Sequence, residues 1–286
     1  MFTRKFIAEG GPVDLALREL QSRDYSRLGE NQANDCQTAH LKAVLSFSTI
    51  VFGAKTNQSA IIQQGYQGHG ATLQQLNRAL RQPDCYEYDE IIVSITTLAM
   101  QEMLVPSGTK LFLNHMMGLE KLLALRDPRS PCSPRTLSLY RCLRHLLLFA
   151  ALTASRASVL AKPEWKAMFV QHSEIEQDLQ EQQLYNILAD CSELVVERDD
   201  LLKELNNGSN DQIQQVDNVR QRTDTILDEL RTWRNCWNAN PDNAFTEVPV
   251  YISPLQPSAS SQSVAMPGAP YDLVFTTIFS ALLLML

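Results

Sequence analysis

No two of the six cysteines stand at Cys-x2-Cys spacing. Cys36, Cys85, Cys132, Cys142, Cys191 and Cys236 are scattered singly, so the sequence offers no paired thiolates for a zinc ribbon and no disulfide framework. They read as reduced core thiols. Basic charge is also short: 25 Lys and Arg against 32 Asp and Glu give a net charge of -7. A free-standing nucleic-acid binder draws affinity from phosphate neutralisation and shows a basic excess. Any DNA contact by this chain is therefore expected to be local or made through a partner. The sequence carries no Gly-x-Ser-x-Gly, no His-Glu-x-x-His and no P-loop. The apolar run at 273–286 is shorter than the about 20 residues of a membrane-spanning helix and reads as a buried core helix. The first residues lack the apolar core of a secretory signal.

What remains is helix-forming and amphipathic. Apolar residues make up 44% of the 286, enough for a sizeable core, and charged residues 20%, too few for a disordered chain. Leu, Ala, Gln, Glu and Arg dominate, and no run alternates as a half-buried strand does. The fold class expected is all-α, a multi-helix array with one helical hairpin. Residues 1–38 are weakly patterned, with one short helix possible over 12–28. A central helix is expected at 39–54, on Leu41, Val44, Leu45, Ser48, Ile50 and Phe52. The next, 59–81, repeats Ile62, Tyr66, His69, Leu73, Leu76 and Leu80 at three- and four-residue steps, and Gly65, Gly68 and Gly70 are expected to kink it.

Helices follow at 89–103, on Ile92, Ile95, Leu98 and Ala99, and at 109–125, capped by Ser107 and facing inward with Leu111, His115, Gly118, Leu119 and Leu122. A Pro- and Ser-rich loop at 128–134 leads to a long apolar helix at 137–160. Two amphipathic helices, 173–205 and 210–237, are joined through Asn207-Gly208-Ser209, a turn and cap that make an antiparallel hairpin. Residues 242–270, rich in Pro and Ser, read as a surface loop. The main domain is thus expected to span 39–286.

The search for chemistry returns no catalytic, cofactor-binding or metal-ligating set. Cys142 and His145 share a helix face, but zinc needs more ligands than two. His115 is read as a core histidine, because no nucleophile or orienting acid accompanies it. Glu102 is read as half of a core ion pair with Arg126 or Arg141. Arg126, Arg129, Arg135, Arg141, Arg144 and His145 read as a solvated basic rim. The stripe over 184–205, interrupted by Arg198, reads as packing within the hairpin, with a coiled-coil seam as the sharper alternative.

Several segments, in order, resemble the helical domain that follows the zinc cluster in fungal-specific transcription factors. They are residues 41–48; 69–80 with 88–102; Asn114-His115-Met116-Met117-Gly118-Leu119 running on to Arg126-Asp127-Pro128; 156–165 with Pro163-Glu164-Trp165; the hairpin end Leu230-Arg231-Thr232-Trp233-Arg234; and 270–286. The resemblance covers about 39–286. Where the family closes its helix with Arg-Gly-Pro, Asp127 stands in place of the glycine. No Cys-x2-Cys-x6-Cys array is present, so the zinc-cluster DNA reader is expected to be lacking, and the domain is expected to be shortened at its C-terminal side. The resemblance implies nuclear location and control of transcription, often of a secondary-metabolite gene cluster. It implies no enzymatic activity and no cofactor. Partners expected are other transcription regulators or a second copy of the chain, with no direct sequence-specific DNA binding and no membrane. A cytoplasmic helical adaptor, or a truncated relative without function, is the alternative.

Overall fold

The computed structural model of the protein describes residues 35–104, 109–172, 176–207 and 212–241. The expected helices at 12–28 and 271–286, the Ser107 cap, the turn at 208–209 and the loop at 242–270 lie outside them. Among the described residues there are eight α-helices and no strand, so the chain is all-α. They are α1 (Asp35–Lys55), α2 (Ser59–Ala79), α3 (Asp89–Leu104), α4 (Thr109–Leu123), α5 (Pro134–Thr153), α6 (Pro163–Gln171), α7 (Glu176–Asn207) and α8 (Gln212–Ala239). Short 3-10 turns lie at Cys85–Glu87 and Val159–Ala161. The chain divides into two units, Met1–Met168 and Phe169–Leu286.

In the first unit the central helix is α3, not α1. Every residue from Glu90 to Ala99 is buried, and Ile91, Ile92, Leu98 and Ala99 are fully so. Each large aliphatic side chain removed from water in this way contributes on the order of 2 kcal/mol. The hydroxyls on this helix are tolerated because they bond back along it: Ser94 to the Glu90 carbonyl, Thr96 to Ile92 at 2.8 Å and Thr97 to Val93 at 2.8 Å.

α1 and α2 form an antiparallel pair whose contact face is small, not leucine-rich. A Cβ built on Gly65 would lie 2.9 Å from the Ile50 backbone nitrogen, and one on Gly53 would lie 2.8 Å from that of Ile62. The glycines therefore let two helices approach closely, and α2 is one continuous helix through them. The buried face of α2 carries Gly65, Thr72, Gln75, Leu76 and Ala79, while Tyr66 is exposed. On α1 the same logic buries Ala39, Ala43 and Gly53 and turns Leu45 and Phe52 outward, each 55% exposed. Gln75 donates to Asp35 at 2.8 Å and Gln82 donates to its other oxygen at 3.2 Å, fixing the start of α1 against the end of α2. Asn57 ends α1 at φ 54, with Gln58 N–H returning to the Gly53 carbonyl at 2.9 Å, a Schellman closure.

α4 buries Phe112, Met116, Leu119, Leu122 and Leu123; Leu119 and Leu122 were expected there, while Leu111 is exposed. α5 begins at its N-cap Ser133, with Pro134 in the first turn. It stops at Thr153, short of the expected 160. Ser155 takes φ 49, and Arg156 N–H reaches the Ala151 carbonyl at 2.9 Å. This is a second Schellman closure, made without glycine.

In the second unit α7 and α8 form the expected antiparallel hairpin. Trp233 Nε1 donates to the Gln180 carbonyl at 2.7 Å near one end. Arg222 bridges Glu193 at 2.7 Å and also Glu197 further along. Leu184, Ile187, Leu188, Cys191, Leu194 and Val195 are buried, as are Ile226, Leu227, Leu230, Trp233 and Trp237 on α8. The stripe is thus largely spent on packing, while Leu202 is half exposed. Arg198 lies beside Asp199 at 2.6 Å.

Candidate functional site

Among the described residues, a densely connected polar site lies where α4 ends, α3 begins and α5 begins. After Leu123 the backbone of α4 tightens: Leu125 N–H bonds to the Leu122 carbonyl at 3.1 Å and Arg126 N–H to Leu123 at 3.0 Å. This brings Arg126 to the mouth of the helix with its side chain only 9% exposed. Its Nε donates to the Tyr86 carbonyl. Nη1 donates to Asp89 Oδ1 at 2.8 Å and to the Tyr140 hydroxyl at 2.6 Å. Thr136 holds the other Asp89 oxygen at 2.7 Å. Tyr140 in turn packs edge-on against Trp165, with centroids 5.2 Å apart and planes at 75°.

One guanidinium thereby ties four pieces of chain: the end of α4, the 3-10 turn before α3, the first residue of α3, and α5. Burial works against its charge, but Tyr140 and Asp89 more than offset this, leaving its pKa above the ordinary value. Burial likewise raises the Tyr140 phenol. Nη2 is buried with no partner among the described residues. A cleft of ≈ 320 Å³ opens here, lined by Tyr86, Asp89, Arg126, Ser130, Thr136 and Tyr140 among others.

The basic rim expected from the sequence is there in part: Arg129, Arg135 and His145 are exposed. Arg126 points inward, Arg144 is buried, and Arg129 lies on the exposed Asp127 carboxylate at 3.1 Å. Glu102 is met by His69 on α2, Nε2 to Oε1 at 3.4 Å, while Arg126 is committed to Asp89. His115 joins that group from α4: burial lowers its pKa, Glu102 raises it and His69 lowers it. Two histidines and a glutamate from three helices thus share one half-buried region. Among the described residues no group of three or more His, Cys, Asp or Glu is placed to hold a metal ion, the Cys142 and His145 pair included.

A third connection was missed in the sequence. Glu120 accepts from Ser158 Oγ at 2.6 Å and from Val159 N–H at 2.7 Å, capping the 3-10 turn before α6. Burial raises its pKa even against those two bonds. Its only sequence signal was an acid inside an apolar helix. What these sites do chemically is hold helices in register: their donors and acceptors come from separate elements, and their chemistry is positioning.

The fungal specific transcription factor domain is matched over residues 15–254 of the chain. Among curated proteins, 80 residues are 32% identical to the uncharacterized protein AN5342 of Emericella nidulans, a stretch that is 28% of this chain and 17% of that protein. No solved structure matches. The latch arginine is the Arg of the Arg-Asp-Pro sequence that carries the resemblance, and the Trp it is stacked towards through Tyr140 is that of Pro163-Glu164-Trp165. With the match covering most of its length, the chain belongs to the fungal specific transcription factor domain family.

Proposed function

We propose that the protein regulates transcription in the nucleus, controlling a secondary-metabolite biosynthetic gene cluster through other transcription regulators. Family membership across residues 15–254 is the observation that carries this reading. Its charge supports the partner: at -7, with no Cys-x2-Cys-x6-Cys array in its 286 residues, the chain lacks the ordinary means of neutralising phosphate. Of the arginines clustered here, Arg126 is folded inward on Asp89 and Arg129 lies on Asp127. DNA is then contacted by the partner, and this chain supplies a helical scaffold. Among the described residues no helix is long and apolar enough to cross a membrane.

The test is deletion of the coding sequence in its host fungus, followed by transcript measurement across the neighbouring genes. A coordinated change in a contiguous cluster is the expected result. Unchanged transcripts across that cluster would refute the proposal. A fluorescent fusion excluded from the nucleus would refute its nuclear part separately.

A further inference from the structure

The connection between α4 and α5 carries a tandem pattern that the Arg126 latch does not use. Pro128-Arg129-Ser130-Pro131 is followed, sharing Pro131, by Pro131-Cys132-Ser133-Pro134. Each serine precedes a proline and stands two residues after another. Proline removes a backbone donor, fixes its own φ and biases the residue before it to extended geometry. Ser133 shows this at φ -68, ψ 151. Ser130 stands at a bend, and residues 131–133 after it have no regular structure; an exposed serine followed by proline in irregular backbone is a form that proline-directed protein kinases bind.

Both serines are exposed, yet their hydroxyls are in different states. Ser133 Oγ caps α5: it accepts from Thr136 N–H at 3.0 Å and lies 2.8 Å from Thr136 Oγ1. Attack by this oxygen requires the cap to open first. Ser130 uses only its backbone, N–H to the Asp127 carbonyl at 3.1 Å, and its hydroxyl has no partner among the described residues. It also borders the cleft that Arg126 lines.

We propose that Ser130 is the acceptor site of a proline-directed protein kinase, and that Ser133, which shares the prolines two residues before and one after, is protected in the folded chain by its capping bonds. Ser130 Oγ attacks the γ-phosphorus of kinase-bound Mg-ATP. The new O–P bond forms as the bond to the β-phosphate oxygen breaks, ADP leaves, and the hydroxyl proton passes to the kinase's base. The product places about two negative charges next to Arg129, whose side chain is 76% exposed and now rests on Asp127. The phosphoryl oxygens compete with that single carboxylate for the guanidinium and recast the charge of the rim beside the latch.

The experiment uses the purified full chain with a mitogen-activated-class proline-directed kinase and Mg-ATP, with phosphosites mapped by mass spectrometry. Wild type, Ser130→Ala and Ser133→Ala are compared, each checked for native helix content by circular dichroism. Of the two serines in this connection, phosphate is expected on Ser130 alone, lost at that site in Ser130→Ala and retained in Ser133→Ala; Ser253, which also precedes a proline, is scored separately. No phosphate on Ser130 overturns the assignment. Phosphate on Ser133 at a rate equal to Ser130 overturns the protection by the cap. Neither result bears on which genes the protein controls, so the outcome is separate from that of the deletion.

Discussion

Truncating Arg126 tests whether the latch holds the first unit together. Arg126→Ala removes the donors to the Tyr86 carbonyl, to Asp89 and to the Tyr140 hydroxyl at once. Breaking a buried ion pair costs about 3–5 kcal/mol, because the remaining charge is left without its counter-ion. Asp89 is 25% exposed and keeps its bond from Thr136, so water and a hydroxyl relieve part of that loss. The lower end, about 3 kcal/mol, is the expected figure. For a unit of this size it corresponds to a fall of roughly 6–12 °C in Tm. Arg126→Lys should recover little, since one ammonium cannot span three acceptors as a planar fork does. Unfolding followed by far-ultraviolet circular dichroism, in urea and on heating, gives the numbers. A double-mutant cycle with Asp89→Asn should show a coupling well above the about 0.5 kcal/mol expected of independent sites. A loss under about 1 kcal/mol for Arg126→Ala, or additivity with Asp89→Asn, would refute the latch.

Gly65→Ala should destabilise by about 1–3 kcal/mol by pushing its new methyl into Ile50, whereas Gly70→Ala, with nothing within 4 Å, should stabilise by about 0.5–1 kcal/mol; urea midpoints of the two variants decide it. Burial lowers His115 below its ordinary 6.5, so the unfolded chain binds the proton more tightly. Stability should therefore fall as pH drops below about 6.5, and His115→Gln should flatten that slope in denaturant titrations at a series of pH values; an unchanged slope would remove His115 as its source. Among the thiols, exposed Cys236 should react with a disulfide reagent in the native protein, while Cys36 and Cys191, buried and pushed up to about 11 and about 12, should react only on unfolding.

The helices were legible in the sequence because their breaks are chemically loud: Pro83, Pro106, Pro128 and Pro163 stand near the ends of elements, and the hairpin's leucines keep a helical period over 184–195. The faces were not. Periodicity counts large apolar side chains, and so it turned Leu45, Phe52 and Tyr66 inward. The close crossing of α1 and α2 rewards small residues instead, and Gly53, Gly65 and Ala43 take the interior. Helix stops made without glycine were equally silent. Ser155 closes α5 in a left-handed conformation that most side chains adopt only at a cost, and nothing in Thr-Ala-Ser-Arg marks it.

The latch was half legible, and the missing half explains the departure at Asp127. Arg126 stood out as a charge at the end of an apolar helix, but its acceptors are 40, 37 and 14 residues away, and the first is a backbone carbonyl. Spacing along a chain cannot pair groups that only the crossing of α3, α4 and α5 brings together. Asp127 is different, because its role is local. It is not among the described residues with positive φ, so nothing in its backbone demands the glycine of Arg-Gly-Pro. An aspartate there accepts from Arg129 through both its backbone N–H, at 3.0 Å, and its Nε, at 3.1 Å. The turn that a glycine would leave free is closed by a side chain, and the arginine before it still reaches Asp89. The substitution therefore alters how the turn is stiffened and leaves the latch unchanged.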